Sequence, residues 1–205
     1  MTEVASTKNK PTTSVTTSFL RRNQMTSYVA LIRSLNVGGN NKVSMAKLKE
    51  FMKEFGYQNV STLGNTGVLF FDSETSVDDN QLGNQLTDKL KVEIKLVTHT
   101  FEHLLEIKKQ LPTWWIENSE WRYNVGFLLD HYDSTELEKE LQDLDSQDDQ
   151  FLFIDDVLLW SSTITERRAF DKSECNKLLL KKASNYLTIR NANTLDKIFK
   201  KIEDK

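Results

Sequence analysis

A chain of 205 residues is long enough for one large domain or two small ones. Hydrophobic residues make up 38% and charged residues 28%, with a formal net charge of −3, a globular profile whose bulk charge favours neither nucleic acid nor an anionic membrane. The single cysteine, Cys175, excludes an internal disulfide framework and fits a reducing, cytoplasmic setting, and no apolar run nears the roughly 20 residues that span a bilayer.

Residues 1–24 are rich in Thr and Ser, carry Lys8, Lys10, Arg21 and Arg22, and show no apolar periodicity. They lack the continuous apolar segment of a secretory signal. They read as a disordered or vector-derived leader before a start at Met25, with an Arg- and Ser/Thr-rich targeting peptide as the alternative.

Tyr28-Val29-Ala30-Leu31-Ile32 is a short apolar run that reads as a buried strand. Arg33-Ser34-Leu35-Asn36-Val37-Gly38-Gly39-Asn40-Asn41-Lys42 joins it to a helix capped by Ser44. In that helix Leu48, Phe51, Met52 and Phe55 share one face, and Gly56 ends it. Residues 59–63 and 68–71 read as a hairpin around Gly64-Asn65-Thr66-Gly67, because Gly and Asn tolerate positive φ. Asp78 or Asp79 opens a second helix with Leu82, Leu86 and Leu90 on one face. Residues 94–98 form a fourth strand, and a helix over about 100–110 closes the half before Pro112.

Residues 113–120 are a junction containing Trp114 and Trp115, after which the order repeats. Residues 123–129 form a strand. Asp133 and Glu136 make a capping pair for a helix lined by Leu137, Leu141 and Leu144. Residues 151–154 and 157–160 are strands around the tight turn Asp155-Asp156. Asp171 and Glu174 cap the next helix, residues 186–189 form a strand, and the last helix starts at Asn191. Residues 96–111 lie over 187–202, His99 over Arg190 and Ile107 over Ile198.

The predicted class is therefore α+β: a tandem duplication of a ferredoxin-like βαββαβ unit, over 25–112 and 113–205, each followed by an extra helix. Each half is an antiparallel sheet with helices on one face. The uncovered faces or edges are left to meet each other or a partner.

The stretch from Arg33 to Val43 resembles the Arg-Gly-Ile-Asn-Val-Gly-Gly opening of the uncharacterised bacterial family called domain of unknown function 1697. Met45, Leu48, Gly56, Val60 and Thr62 follow at that family's spacing. Asn65-Thr66-Gly67 is similar to its Ser-Gly-Asn turn, with Val68 where the family usually has Asn. Thr188-Ile189-Arg190-Asn191 and Thr194 resemble its Thr-x-Arg-Asn-x-x-Thr motif. The resemblance covers residues 27–200. It implies a duplicated α+β fold and a soluble bacterial protein, and it implies no activity.

The Gly-Gly loop is the leading candidate site. Gly38 and Gly39 let backbone N–H groups approach a ligand, the following helix start adds unpaired donors, and Arg33 and Lys42 add cations. With Asn36, Asn40, Asn65, Arg190 and Asn191, these residues form the candidate set for a small anionic or phosphorylated ligand. The alternative is structural: a tight strand-to-helix connection, Arg33 paired with an acid, Asn65 in a hairpin turn and Asn191 as a helix cap. Within one ferredoxin-like unit the Gly-Gly loop and the Asn65 turn are expected at opposite sheet ends, so they need not share a site within one half and could meet across the halves. Arg190 would join Arg33 only if the halves pack antiparallel.

His99-Thr100-Phe101-Glu102-His103 matches an inverted zinc-protease string, but His99 falls at a strand exit and no third ligand announces itself, so no metal or other cofactor is expected. Cys175 reads as a buried helix-face residue and His131 has no evident partner. No spacing supports nucleophilic catalysis. Trp114, Trp115 and Trp121 read as core between the sheets or as an aromatic cleft wall. Phe70 and Phe71 lack the basic signature of an RNA-binding sheet. Ligand binding leads; an enzyme using Arg33, Asn36 and Lys42 on a phosphorylated metabolite, or an interaction module with an exposed sheet face, are the competing classes. The sequence leaves the oligomeric state open.

Overall fold

Alternation sets the architecture. In β1 (Thr26–Ile32), Tyr28, Ala30 and Ile32 pack to one side and Val29 and Leu31 to the other, so the strand is buried on both faces. The computed structural model describes residues 25–33, 35, 43–130, 132–144 and 146–205. The expected leader at 1–24, His131, and the loop candidates Asn36, Gly38, Gly39, Asn40 and Lys42 lie outside the described residues.

After β1 come α1 (Met45–Glu54), β2 (Gln58–Thr62), β3 (Val68–Ser73), α2 (Asp79–Leu90), β4 (Leu96–Thr100) and α3 (Phe101–Lys109). The second half holds β5 (Arg122–Leu128), α4 (Thr135–Gln142), β6 (Asp149–Ile154), β7 (Val157–Ser162), α5 (Arg167–Asp171), α6 (Glu174–Ala183), β8 (Leu187–Asn191) and α7 (Ala192–Glu203). The fold is thus mixed α+β, with two four-stranded antiparallel sheets ordered β2-β3-β1-β4 and β6-β7-β5-β8. The two orders correspond strand for strand, as a duplicated unit would have them.

Each sheet carries a helix pair on its outer face. Tyr28, Leu69 and Phe71 pack with Leu48 and Met52 of α1 and Leu82 and Leu86 of α2. Leu158 and Trp160 pack with Leu137 and Leu141 of α4 and Leu179 of α6. The inner faces are not left open. Val29, Leu31 and Phe70 of one sheet share a core with Val125, Phe127 and Leu159 of the other, closed by Leu104 and Ile107 of α3 and Ile198 and Phe199 of α7. Trp114 and Trp115 pack against this shared core, 6.0 Å apart between ring centroids. No helix among the described residues is long and apolar enough to cross a membrane.

Local signals need four corrections. Helix α6 is capped by Ser173, whose Oγ accepts from Asn176 N at 3.2 Å, not by Asp171, which ends the unexpected short helix α5. Asp133 does not reach Glu136; its Oδ1 accepts from Thr135 N and Oγ1. Strand β4 begins at Leu96 rather than Ile94, because Ile94 N–H donates to Thr87 Oγ1 at 2.8 Å and is spent on α2. Finally, the β1 exit and the Asn65 turn sit at the same sheet end: β1 and β3 are antiparallel neighbours, and Ile32 N–H donates to Gly67 O at 2.8 Å.

Candidate functional site

Two cation-bearing positions meet at this end of the first sheet. Arg33 leaves β1, crosses to the second half, and donates from Nε and Nη2 to Ser184 O at 3.1 and 2.8 Å. Ser184 is the C-cap of α6, so the guanidinium lies at the negative end of a helix dipole. Arg190 lies on β8 opposite Val125. Its Nη1 donates to Thr188 Oγ1 and Ile189 O, and its Nη2 crosses to Ile32 O at 2.7 Å. Its Nε is buried without a partner, and burial pulls the guanidinium pKa down to about 10.

Gly67 makes this meeting possible. Its φ is +73°, and a Cβ there would lie 3.2 Å from Ile32 O and 3.6 Å from Arg190 Nη2. Arg33 and Arg190 together line a cleft of about 280 Å³. Asn176, Ser184 and Thr188 supply its polar wall, and Leu180 and Ile189, 54% and 40% exposed, an apolar one. Among the described residues neither arginine forms an ion pair.

The other candidates separate. Asn65 is exposed in the turn beside Gly67. Asn191 Oδ1 caps α7, accepting from Thr194 N and Oγ1 at 2.9 Å, and lines a different cleft with Trp121. Cys175 is buried on α6, and its thiol is pushed up to about 12 by desolvation.

The equivalent position in the first half holds a second cluster. His99 lies on β4 opposite Val29, as Arg190 lies opposite Val125. The turns correspond too: Leu128 N–H donates to Asp156 O at 2.9 Å as Ile32 N–H does to Gly67 O. So Arg190 approaches the turn residue Gly67, and His99 approaches the turn residue Asp156. His103, in the first turn of α3, brings Nε2 to 3.0 Å from Asp156 Oδ1, and its ring stacks on His99 at 5.3 Å. His99 Nδ1 is 3.6 Å from Asp156 Oδ2. Burial pulls the His99 pKa down to about 4, against the attraction of Asp156 and with the repulsion of His103. Glu102 of the protease-like string takes no part. Sequence reasoning read Asp155-Asp156 only as a tight turn and missed Asp156 as a partner of His99 and His103, because that contact joins the two halves.

Residues 25–159 match the family described as "Protein of unknown function (DUF1697)", and the chain belongs to it. The Thr188-to-Thr194 motif lies beyond the matched residues. The chain is similar in structure to a conserved bacterial protein, SP0830 from Streptococcus pneumoniae, at 29% identity and a TM-score of 0.72, over 87% of this chain and 99% of that one. No curated protein matches.

Proposed function

We propose that this member of the DUF1697 family is a cytoplasmic binding protein that holds a small anion, a phosphate or carboxylate group on a partly apolar body, in the cleft between its halves. One observation carries this: Arg33 and Arg190 line the same cleft, and both bond to backbone carbonyls rather than to carboxylates. A largely buried guanidinium without counter-charge is costly, and a bound anion offsets that cost. The Gly38-Gly39 backbone and Lys42, which follow Arg33 in sequence, complete the proposed site. Leu180 and Ile189 suit the apolar body. None of the described residues lining the cleft is a carboxylate or a histidine, which favours binding over general-base catalysis. Two ferredoxin-like units in tandem, related by duplication, are proposed as the frame; the shared strand order and the matched registers of His99 and Arg190 support it.

A second reading follows from the same bonds, since both arginines cross between the halves and would serve as clamps. Melting with and without inorganic phosphate or nucleotides separates the two. Under the binding reading a ligand at 100 times its Kd adds about 2.7 kcal/mol. Arg33→Ala and Lys42→Ala then each weaken binding by about ten- to hundredfold, the loss of a charge-assisted contact. Under the clamp reading Arg33→Ala lowers the melting temperature without ligand, and no anion shifts any variant. Equal, negligible shifts in wild type and both variants would end the binding reading.

A further inference from the structure

We infer that His99, His103 and Asp156 bind a divalent transition-metal ion that bridges the two halves. Their three ligand atoms lie within 4.8 Å of one another, drawn from β4, the first turn of α3 and the β6–β7 turn. The burial is graded. The His99 side chain is 1% exposed, His103 31% and Asp156 45%, so one ligand is anchored in the core and two stand at the solvent edge.

A simple hydrogen-bonded cluster does not account for His99. Its Nδ1 points at Asp156 from 3.6 Å, too far for a hydrogen bond, and its Nε2 is buried with no partner. An almost fully buried imidazole whose Nε2 has no partner carries a desolvation cost. A metal on Nδ1 gives that nitrogen a bond that Asp156, 3.6 Å away, does not supply. Metal–ligand bonds of about 2.0–2.1 Å set tetrahedral ligand atoms about 3.3 Å apart. The His103–Asp156 and His99–Asp156 separations of 3.0 and 3.6 Å bracket that value, and the third is within 4.8 Å.

The donor set fixes the class of ion. Two imidazoles and one carboxylate suit zinc, cobalt, nickel or iron(II), whereas magnesium and calcium take oxygen ligands. Three protein ligands leave a position for water on the solvent side. The site stands at the position equivalent to the arginine cleft, so the two halves present different chemistry from matched places: cationic around Arg190, metal-ligating around His99.

Cobalt(II) titrated into the full-length, tag-free chain after chelator treatment tests this, read by its visible d–d absorption and by displacement with zinc. One equivalent is expected to give a low-coordinate band that zinc abolishes. His103→Ala and Asp156→Asn should each weaken binding at least about tenfold, while both variants keep the wild-type circular dichroism because their side chains are partly exposed. His131→Ala should bind as wild type does. No band in the wild type, a loss of under tenfold in either variant, or a loss confined to His131→Ala overturns the assignment.

Discussion

Asp72 shows how one residue ties the ends of the molecule together. It is 5% exposed at the end of β3, and burial alone would raise its pKa. Hydrogen bonds outweigh burial and hold it below the usual 3.8: Lys205 donates to Oδ1, Asn59 to Oδ2 at 2.6 Å and Ser27 to Oδ1 at 2.7 Å. A carboxyl group with a depressed folded-state pKa stabilises above its unfolded pKa and loses that contribution as pH falls through the folded one. Wild-type melting should therefore drop further as pH goes below 3.8. Asp72→Asn should cost about 1–3 kcal/mol at neutral pH, since Lys205 can turn to water, and should flatten the acid limb. Thermal melts from pH 7 to pH 2.5 check both, and an unchanged acid limb in the variant would refute the linkage. His99 and Arg190 make the same point from the other side: each is a polar group buried without full satisfaction, and each is where a ligand is argued to belong.

Helix α2 and the segment leading into β4 approach so closely that Gly83 leaves no free room for a side chain. A Cβ on Gly83 would lie 2.9 Å from the Ile94 carbonyl, which is backbone and cannot rotate away. Alanine gains about 1 kcal/mol in helix propensity and loses about 1–3 kcal/mol to overpacking. Gly83→Ala is expected to lower the melting temperature by about 2–4 °C, a net cost near 1 kcal/mol for a chain of this size; a rise would show that the interface relaxes freely. Elements of this kind were largely legible in the sequence, because the apolar run of β1 and the helix starts at Asp78, about Thr100 and Asn191 are local signals. What failed was tertiary. Short helix α5 sits on the sheet with Phe170 stacked on Trp160 at 5.4 Å, a contact distant in sequence, and it takes up Asp171, so that α6 is capped by Ser173. Arg33 and Arg190 were recognisable as residue types. Their meeting depends on β1 lying antiparallel beside β3 and on the packing of one half against the other, neither of which any single segment encodes. Asp156 was invisible for the same reason.

At the scale of the whole molecule the two halves share their central core, so they should fold as one unit. Ile198 of α7 and Ile107 of α3 occupy matched places and are 0% and 1% exposed. Around them Val29, Leu31 and Phe70 of the first sheet meet Val125, Phe127 and Leu159 of the second. Neither half can bury its inner face alone, and an exposed apolar face of that size drives association. Ile198→Ala removes buried methylenes from this shared layer and should cost about 2–5 kcal/mol. If the halves are one cooperative unit, that loss appears equally on both sides of the interface. Native-state hydrogen exchange reads it amide by amide: protection of Leu69 and Phe71 in the first sheet and of Leu158 and Trp160 in the second should fall by the same amount. The side chains of these four residues face the outer helices, so direct contact with residue 198 does not explain a change there. A loss confined to the second sheet would mean that the halves unfold separately, and the shared core would then not couple them.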